Sequence, residues 1–156
     1  MADDSLTAQA ARLARRLERI PAEIVAGVQP ALVQCADRTA QVARSLAPKE
    51  EGDLAASITV TPPGATTPAY TEGGGRRTAG PNQALVTAGG PGVRHGHLME
   101  FGTKPHVNGG LFAGTQHPGT EPQPFMLPAA RLTEDQNRRR IGRAVAQAIR
   151  NSGQSQ

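Results

Sequence analysis

The sequence predicts an α+β fold, with helices at both ends of the chain and a small, mainly antiparallel sheet between them. Apolar residues recur at helical spacing in residues 1–47 and again in residues 128–150. Residues 57–61 instead alternate polar and apolar side chains, as a half-buried strand does. With 156 residues, the chain is expected to form a single domain, 1–156, with one modest core.

The N-terminal region, residues 1–47, is predicted to be helical with a prolonged apolar seam. Pro21 suits the first turn of a second helix. A kink or break is expected near Gly27 to Pro30, because an internal proline removes a backbone hydrogen bond. From Ile24 to Leu46 the seam fits either a coiled coil or packing on the protein's own sheet, and we favour the sheet because this part covers only about three heptads. Its members are Leu6, Ala10, Leu13, Leu17, Ile20, Ile24, Val28, Leu32, Cys35, Thr39, Val42 and Leu46.

The central region, residues 48–127, is predicted to hold the sheet and its loops. Residues 83–88 give a second short strand, and residues 95–102 fit either a strand or a short helical turn ending at Gly102. Two long Gly/Pro-rich loops cover residues 62–82 and 103–122. Loops of this length are usually functional or disordered, so we expect the first to be mobile in the isolated protein; in a ring-forming protein it could order only against a neighbouring subunit.

The C-terminal helix is predicted over residues 128–150, with Pro128 in its first turn and a tail at residues 151–156. Its inward positions are Ile141, Val145, Ala148 and Ile149, and Arg139, Arg143 and Arg150 face outward. The sheet is expected to have about three to five strands. The predicted core consists of Ile58, Val60, Leu85, Val86, Leu98, Phe101, Phe125, Leu127, Ile141 and Val145.

The positive charge of the chain is concentrated near its C-terminus. Residues 131–150 contain six arginines and two acidic residues, an excess equal to the net charge of +4 for the whole chain. This pattern is typical of a solvated helix face, and it also fits contact with DNA or an acidic partner. Without a helix-turn-helix or an aromatic stacking platform, base recognition is not expected. The candidate contact residues are Arg138, Arg139, Arg140 and Arg143.

The sequence gives little support for catalysis. Ser45 and Ser57 lack the spacing of a nucleophile elbow. Glycines 73–75, followed by Arg76 and Arg77, lack the lysine and hydroxyl residue of a phosphate-binding P-loop. The protein is therefore not expected to be an enzyme, and no catalytic or cofactor-binding residue is assigned.

The histidines provide the only pattern that resembles a metal site. A His-x-His pair on a strand places both rings on one face, and a carboxylate could complete the set. Glycine-rich segments separate the other members, and such segments do not preorganise ligands. We therefore expect no metal site among His95, His97, Glu100, His106 and His117.

The single cysteine, Cys35, excludes an intrachain disulfide and lies on the helical seam. We expect it to be a small buried hydrophobe, and not a reactive thiol. The first twenty residues include Asp3 and Asp4 and lack a long apolar run, so no secretory signal is expected. No stretch approaches the roughly 20 apolar residues that a membrane span needs.

Three short strings lie between the predicted N-terminal and C-terminal helices. The first string contains Ala47, Pro48, Gly52, Leu54, Ser57 and Ile58. The second is His95-Gly96-His97-Leu98-Met99-Glu100-Phe101-Gly102-Thr103, and the third is Gln123-Pro124-Phe125-Met126-Leu127-Pro128-Ala129. In order and spacing, these strings resemble the neck or tail-completion family of long-tailed phages, the Hong Kong-type tail component. The resemblance covers about residues 5–150.

This resemblance implies a virion structural protein of the head-tail junction. It implies a homo-oligomeric ring, with a hexamer favoured, which joins the capsid connector to the tail around the DNA channel. The implied partners are head-closure and tail-terminator proteins, with non-specific contact to DNA, and neither a cofactor nor a membrane. The implied location is the virion, and the host cytoplasm during assembly. The alternatives are a tail terminator or minor tail protein and, in a different class, a basic nucleic-acid-binding regulator.

Overall fold

In the described part of the chain, long helices at both ends enclose two short antiparallel hairpins, which confirms the predicted α+β class. The computed structural model describes residues 2–49, 52–71 and 75–154, with residues 2–20 described by their backbone only. The helices are α1 (Ala2–Leu46), α2 (Asp53–Ala56), α3 (Gly96–Phe101) and α4 (Met126–Gln154), with a 3₁₀ turn at Gly110–Phe112. The strands are β1 (Thr59–Thr61), β2 (Leu85–Thr87), β3 (His106–Val107) and β4 (Gln116–His117).

Helix α1 is continuous for 45 residues, with Pro21 and Pro30 inside it. The predicted break near Gly27 to Pro30 and the new helix at Pro21 are therefore wrong. Both prolines are exposed, and tertiary packing of the opposite face keeps the helix together despite the hydrogen bonds that proline cannot make. The side chains of the early seam positions, residues 6–20, lie outside the described residues.

Helices α1 and α4 pack antiparallel along a seam of small residues. The hydroxyl oxygens of Thr39 and Thr133 are 2.8 Å apart, and a Cβ added at Gly27 would lie 3.0 Å from the Cβ of Ala148. The main partner of α1 is thus α4, while β1 and β2 also pack against α1 as predicted. The buried small residues of the seam are Cys35, Ala36, Ala40, Ala43, Ala47, Ala129 and Ala148.

The first hairpin and the core beneath it confirm both predicted strands. Strands β1 and β2 pair antiparallel, with Val60 opposite Val86. Ile58 and Phe125 are each 1% exposed and are the largest fully buried side chains described. Arg44 of α1 donates a hydrogen bond of 2.6 Å to the carbonyl oxygen of Ile58, which ties the start of the hairpin to the helix. The core cluster consists of Ala40, Ala43, Ala47, Leu54, Ile58, Ala88, Phe125 and Ala129.

Three predicted core residues are instead at the surface. Leu98, Phe101 and Leu127 are 39%, 62% and 48% exposed, so their assignment to the core is wrong. Residues 96–101 form a helical turn, and the face of this turn that is buried carries Gly96 and Glu100. The other predicted core residues are buried or half-buried, namely Ile58, Val60, Leu85, Val86, Phe125, Ile141 and Val145.

The carboxylate of Glu100 caps the N-terminus of α4. One carboxylate oxygen accepts hydrogen bonds from the backbone N–H groups of Phe125 and Met126, at 2.8 and 2.9 Å. The other accepts one from Leu127, at 2.9 Å. Glu100 is only 4% exposed, and the positive end of the helix dipole favours its charge. We call this arrangement the Glu100 cap; it joins the second sequence string to the third.

Helix α4 extends beyond its predicted range of 128–150 at both ends. It begins at Met126, where the Glu100 cap satisfies the free N–H groups, and continues to Gln154. Pro128 lies in its first turn, as predicted, where a missing N–H removes no helical hydrogen bond. Ala148 is buried, whereas Ile149 is 53% exposed, so the inward placement of Ile149 is wrong.

Both Gly/Pro-rich segments contain backbone pairing that the sequence did not predict. In the first segment, Thr66 pairs with Thr78, and the amide of Gly64 donates to the carbonyl of Ala79 at 3.0 Å. Residues 72–74 lie outside the described residues. The second segment contains β3 and β4, so the strands in the described ranges form two separate two-stranded sheets in place of one.

Replacement of Pro30 by Ala is expected to raise the free energy of unfolding by about 1 to 3 kcal/mol, because proline is unfavourable inside a helix. Pro30 is exposed, so little packing is lost. Urea unfolding of the variant measures the change, with Pro62→Ala, outside any helix, as the control. A loss of stability in Pro30→Ala would contradict a continuous α1.

Replacement of Glu100 by Ala is expected to lower the free energy of unfolding by about 2 to 4 kcal/mol, because buried N–H groups lose a charged acceptor. Glu100→Gln is expected to lose less, since one carbonyl oxygen remains. Urea unfolding gives the values, and Glu121→Gln, at an exposed position, is the matched control. Equal stability of the Glu100→Ala and Glu121→Gln variants would refute the cap.

Candidate functional site

Two of the four candidate contact arginines on α4 are exposed without a partner among the described side chains. The other two are bonded to neighbouring side chains. Arg139 and Arg143 are exposed, and the helical repeat places them and the exposed Arg150 within about 40° around the helix axis. Among the described side chains, none forms an ion pair with Arg139 or Arg143. This exposed row is the part of the predicted site that is available to a partner.

Arg138 and Arg140 are held by neighbouring side chains. Arg138 lies 2.7 Å from the carboxylate of Glu134 and 3.6 Å from that of Asp135. Arg140 is half-buried and donates a hydrogen bond to Gln34 of α1. Arg140 thus joins the two helices, and the charge of Arg138 is offset on its own helix.

The histidines and the glutamate considered as metal ligands, from which no metal site is expected, lie on different elements. His95 and His97 are exposed near α3, and Glu100 is used in the Glu100 cap. The rings of His106 and His117 stack across the second hairpin, with centroids 4.9 Å apart and an interplanar angle of 17°. Over the residues that the structure describes, no three His, Cys, Asp or Glu side chains are grouped as metal ligands.

Cys35 is 5% exposed and lies in the seam between α1 and α4, which confirms that it is a small buried side chain. Burial raises the pKa of its thiol, and the charge of Arg140 acts in the opposite direction. The thiol lies 3.8 Å from the carbonyl oxygen of Asn137. A raised pKa keeps the thiol protonated, which does not favour nucleophilic chemistry.

The second Gly/Pro-rich segment forms a hairpin that we call the arm, residues 103–120. At its base, Thr103 and Thr120 exchange backbone hydrogen bonds of 3.0 and 3.1 Å, and their hydroxyl oxygens are 3.0 Å apart. Farther out, His106 pairs with His117, and the amide of Asn108 donates to the carbonyl of Thr115 at 2.8 Å. These bonds give the arm a fixed conformation.

Glycines at the base of the arm allow the two chain segments to approach closely. Gly102 has φ of +68°, and a Cβ there would lie 2.6 Å from the carbonyl oxygen of Thr120. Gly119 has φ of +87°, and a Cβ there would collide with the carbonyl oxygen of Thr103. Any other residue at these positions would open the base of the arm.

The tip of the arm exposes large apolar side chains. Leu111 is 100% exposed, Phe112 is 70% exposed and Val107 is 58% exposed. Together with the surface residues near the Glu100 cap, the span 98–127 contains six of the ten exposed large apolar residues described. Such a concentration is characteristic of an interaction surface. In the sequence, the signal for this exposed tip is a Leu-Phe pair flanked by glycines within residues 109–114.

Replacement of Gly102 by Ala is expected to lower the free energy of unfolding by about 2 to 4 kcal/mol, because a positive φ and a collision with Thr120 both oppose it. Gly114→Ala is the control: Gly114 also has a positive φ, of +86°, but nothing lies within 4 Å of its added Cβ. That control should lose only about 1 kcal/mol. Urea unfolding measures both variants. Equal losses of stability in Gly102→Ala and Gly114→Ala would show that the arm base is loosely packed.

No helix in the described residues is long and apolar enough to cross a membrane. The chain has no significant match among curated proteins or among solved structures. Residues 11–102 match the model of the family described as "Bacteriophage HK97-gp10, putative tail-component". This match covers 92 of the 156 residues, contains the first sequence string and the second up to Gly102, and confirms the resemblance. The chain therefore belongs to the HK97-gp10-like family of bacteriophage tail components.

Proposed function

We propose that this phage tail component is a structural protein of the head-tail junction, which assembles into a ring joining the capsid connector to the tail around the DNA channel. The observation that carries the proposal is the concentration of exposed apolar side chains on the arm and beside the Glu100 cap. A monomer gains nothing from exposing Leu111 and Phe112, whereas a subunit in an assembly buries them.

The role of the motif residues also supports assembly over catalysis. Glu100, the most deeply buried acidic side chain described, is committed to three backbone hydrogen bonds. Three of the roughly four lone-pair sites of its carboxylate are therefore occupied by backbone N–H groups of the same chain. We propose a hexamer that contacts head-closure and tail-terminator proteins, as the resemblance implies.

Electron microscopy and mass photometry of the purified full-length protein test the ring. The expected result is a closed ring of uniform subunit number with a central opening. A monomer that binds DNA tightly and with strong salt dependence would overturn the ring and favour a nucleic-acid-binding regulator.

Inactivation of the gene in its phage separates a junction protein from a tail terminator. Loss of a junction protein leaves DNA-filled heads and tails of normal length that are not joined. Tails of irregular length would instead indicate a terminator and contradict the proposal. Electron micrographs of the lysate distinguish these outcomes.

We further propose that Arg139 and Arg143 contact DNA phosphates. Each phosphate contact contributes about 0.9 to the slope of log affinity against log salt concentration. The variant Arg139→Gln/Arg143→Gln is therefore expected to reduce this slope by about 2 in fluorescence anisotropy titrations with duplex DNA.

Arg138→Gln is the matched control for the arginine pair. It removes one positive charge from the same helix, but its guanidinium is already paired with Glu134 and Asp135. It should reduce the slope by less than half as much as the double variant. An unchanged slope in the double variant would assign the exposed arginine row to a protein partner or to solvent.

A further inference from the structure

We propose that the tip of the arm inserts into a groove between α1 and α4 of a second copy of this chain, and that this contact forms the interface between neighbouring subunits. The inference rests on the proposed ring and deepens it by naming the two surfaces that meet. The groove is lined by Thr39, Ala130, Glu134, Asn137, Arg138 and Ile141.

The arm is preorganised for docking. Paired backbone groups from Thr103 and Thr120 outward to Asn108 and Thr115 fix the hairpin before any partner binds. The arm therefore loses its conformational entropy when the chain folds and not when subunits associate, which favours binding. At the tip, Gly110 and Gly114, both with positive φ, flank the two most exposed large apolar side chains of the arm, Leu111 and Phe112.

Because the tip carries no charge, we expect it to bind a surface that is also without net charge. Residues 107–116 contain no acidic or basic side chain, so an arginine-rich or acidic surface would lose hydration without gaining an ion pair. The groove contains one acid and one base, Glu134 and Arg138, which neutralise each other at 2.7 Å. Its other lining groups are apolar or neutral, so it matches the tip in character.

The groove is also large enough for the tip. Its volume is about 450 Å³, whereas a cavity of about 150 Å³ holds a benzene-sized ring. The side chains of Phe112 and Leu111 therefore fit together. The groove is open to the surface along the seam between the helices, which allows a hairpin to enter from outside.

The arm does not fill the groove of its own chain, because Leu111 is fully exposed. Arm and groove are different surfaces, so their contact is heterologous, and a heterologous contact repeated by rotation closes a ring. When it docks, the tip alone would bury a few hundred Å² of accessible surface, less than the roughly 1,200 Å² that a stable interface buries. Ring closure, which secures each subunit at two contacts, is expected to make the assembly cooperative.

The first test compares the wild-type protein with the variant Leu111→Ser/Phe112→Ser by sedimentation velocity over a range of concentrations. The variant is expected to associate at least tenfold more weakly, with an unchanged melting temperature at concentrations where both proteins are monomeric, because Leu111 and Phe112 are largely exposed in the monomer. Ile149→Ser, which removes an apolar side chain that is 53% exposed on α4, is the control and should assemble normally.

The outcomes separate the two proposals. Normal assembly by the arm variant would overturn the arm contact and leave the ring intact. A wild-type protein that stays monomeric at every concentration would overturn the ring and the contact together. Normal rings combined with failure to join heads and tails would assign the arm to another virion protein and also overturn the contact.

The second test identifies the acceptor by disulfide trapping. Chains carrying Ala113→Cys, beside the tip, are mixed under mild oxidation with chains carrying Ala130→Cys, in the groove; both also carry Cys35→Ala. A cross-linked dimer is expected only in the mixture. Replacing the groove cysteine by Ile149→Cys should abolish it. Assembly without this cross-link would show that the arm enters a different surface.

Discussion

The bonds between the Glu100 carboxylate and the N-terminus of α4 are the interaction on which the rest of the structure depends. They hold α3 against the first turn of α4, and they position Phe125, the largest buried side chain described, against the core. The base of the arm lies between α3, which carries Glu100, and the start of α4. Thr103 shortly follows α3 in sequence, and Thr120 shortly precedes α4. Loss of the cap would therefore disturb the core and the arm together.

The seam between α1 and α4 explains how a chain with 3% aromatic residues forms a core at all. Alanines and Gly27 let the helices approach closely. Many small dispersion contacts along this long interface therefore replace the contacts that a few large side chains would make. The hydroxyl pair of Thr39 and Thr133 adds a polar contact that favours a single register. A seam of this kind also explains why α1 continues through Pro30.

The described surface includes two regions that do not contribute to the core. The exposed arginine row on α4 and the apolar tip of the arm take no part in the core, and both lie outside the residues used by the Glu100 cap. In the proposed junction ring, these two surfaces are the ones assigned to a neighbouring subunit and to DNA. The residues of the family strings build the framework that holds both surfaces in place.

The sequence by itself determined the fold class, the two strands of the first hairpin, the C-terminal helix and the family, because these follow from local periodicity and short strings. Only the tertiary structure decided that α1 is continuous, that Glu100 is buried while Phe101 is exposed, and that the second Gly/Pro-rich segment is an ordered arm. Each of these depends on contacts between residues distant in sequence. Packing on α4 outweighs the proline signal at Pro30, and three backbone N–H groups make burial of the Glu100 carboxylate favourable.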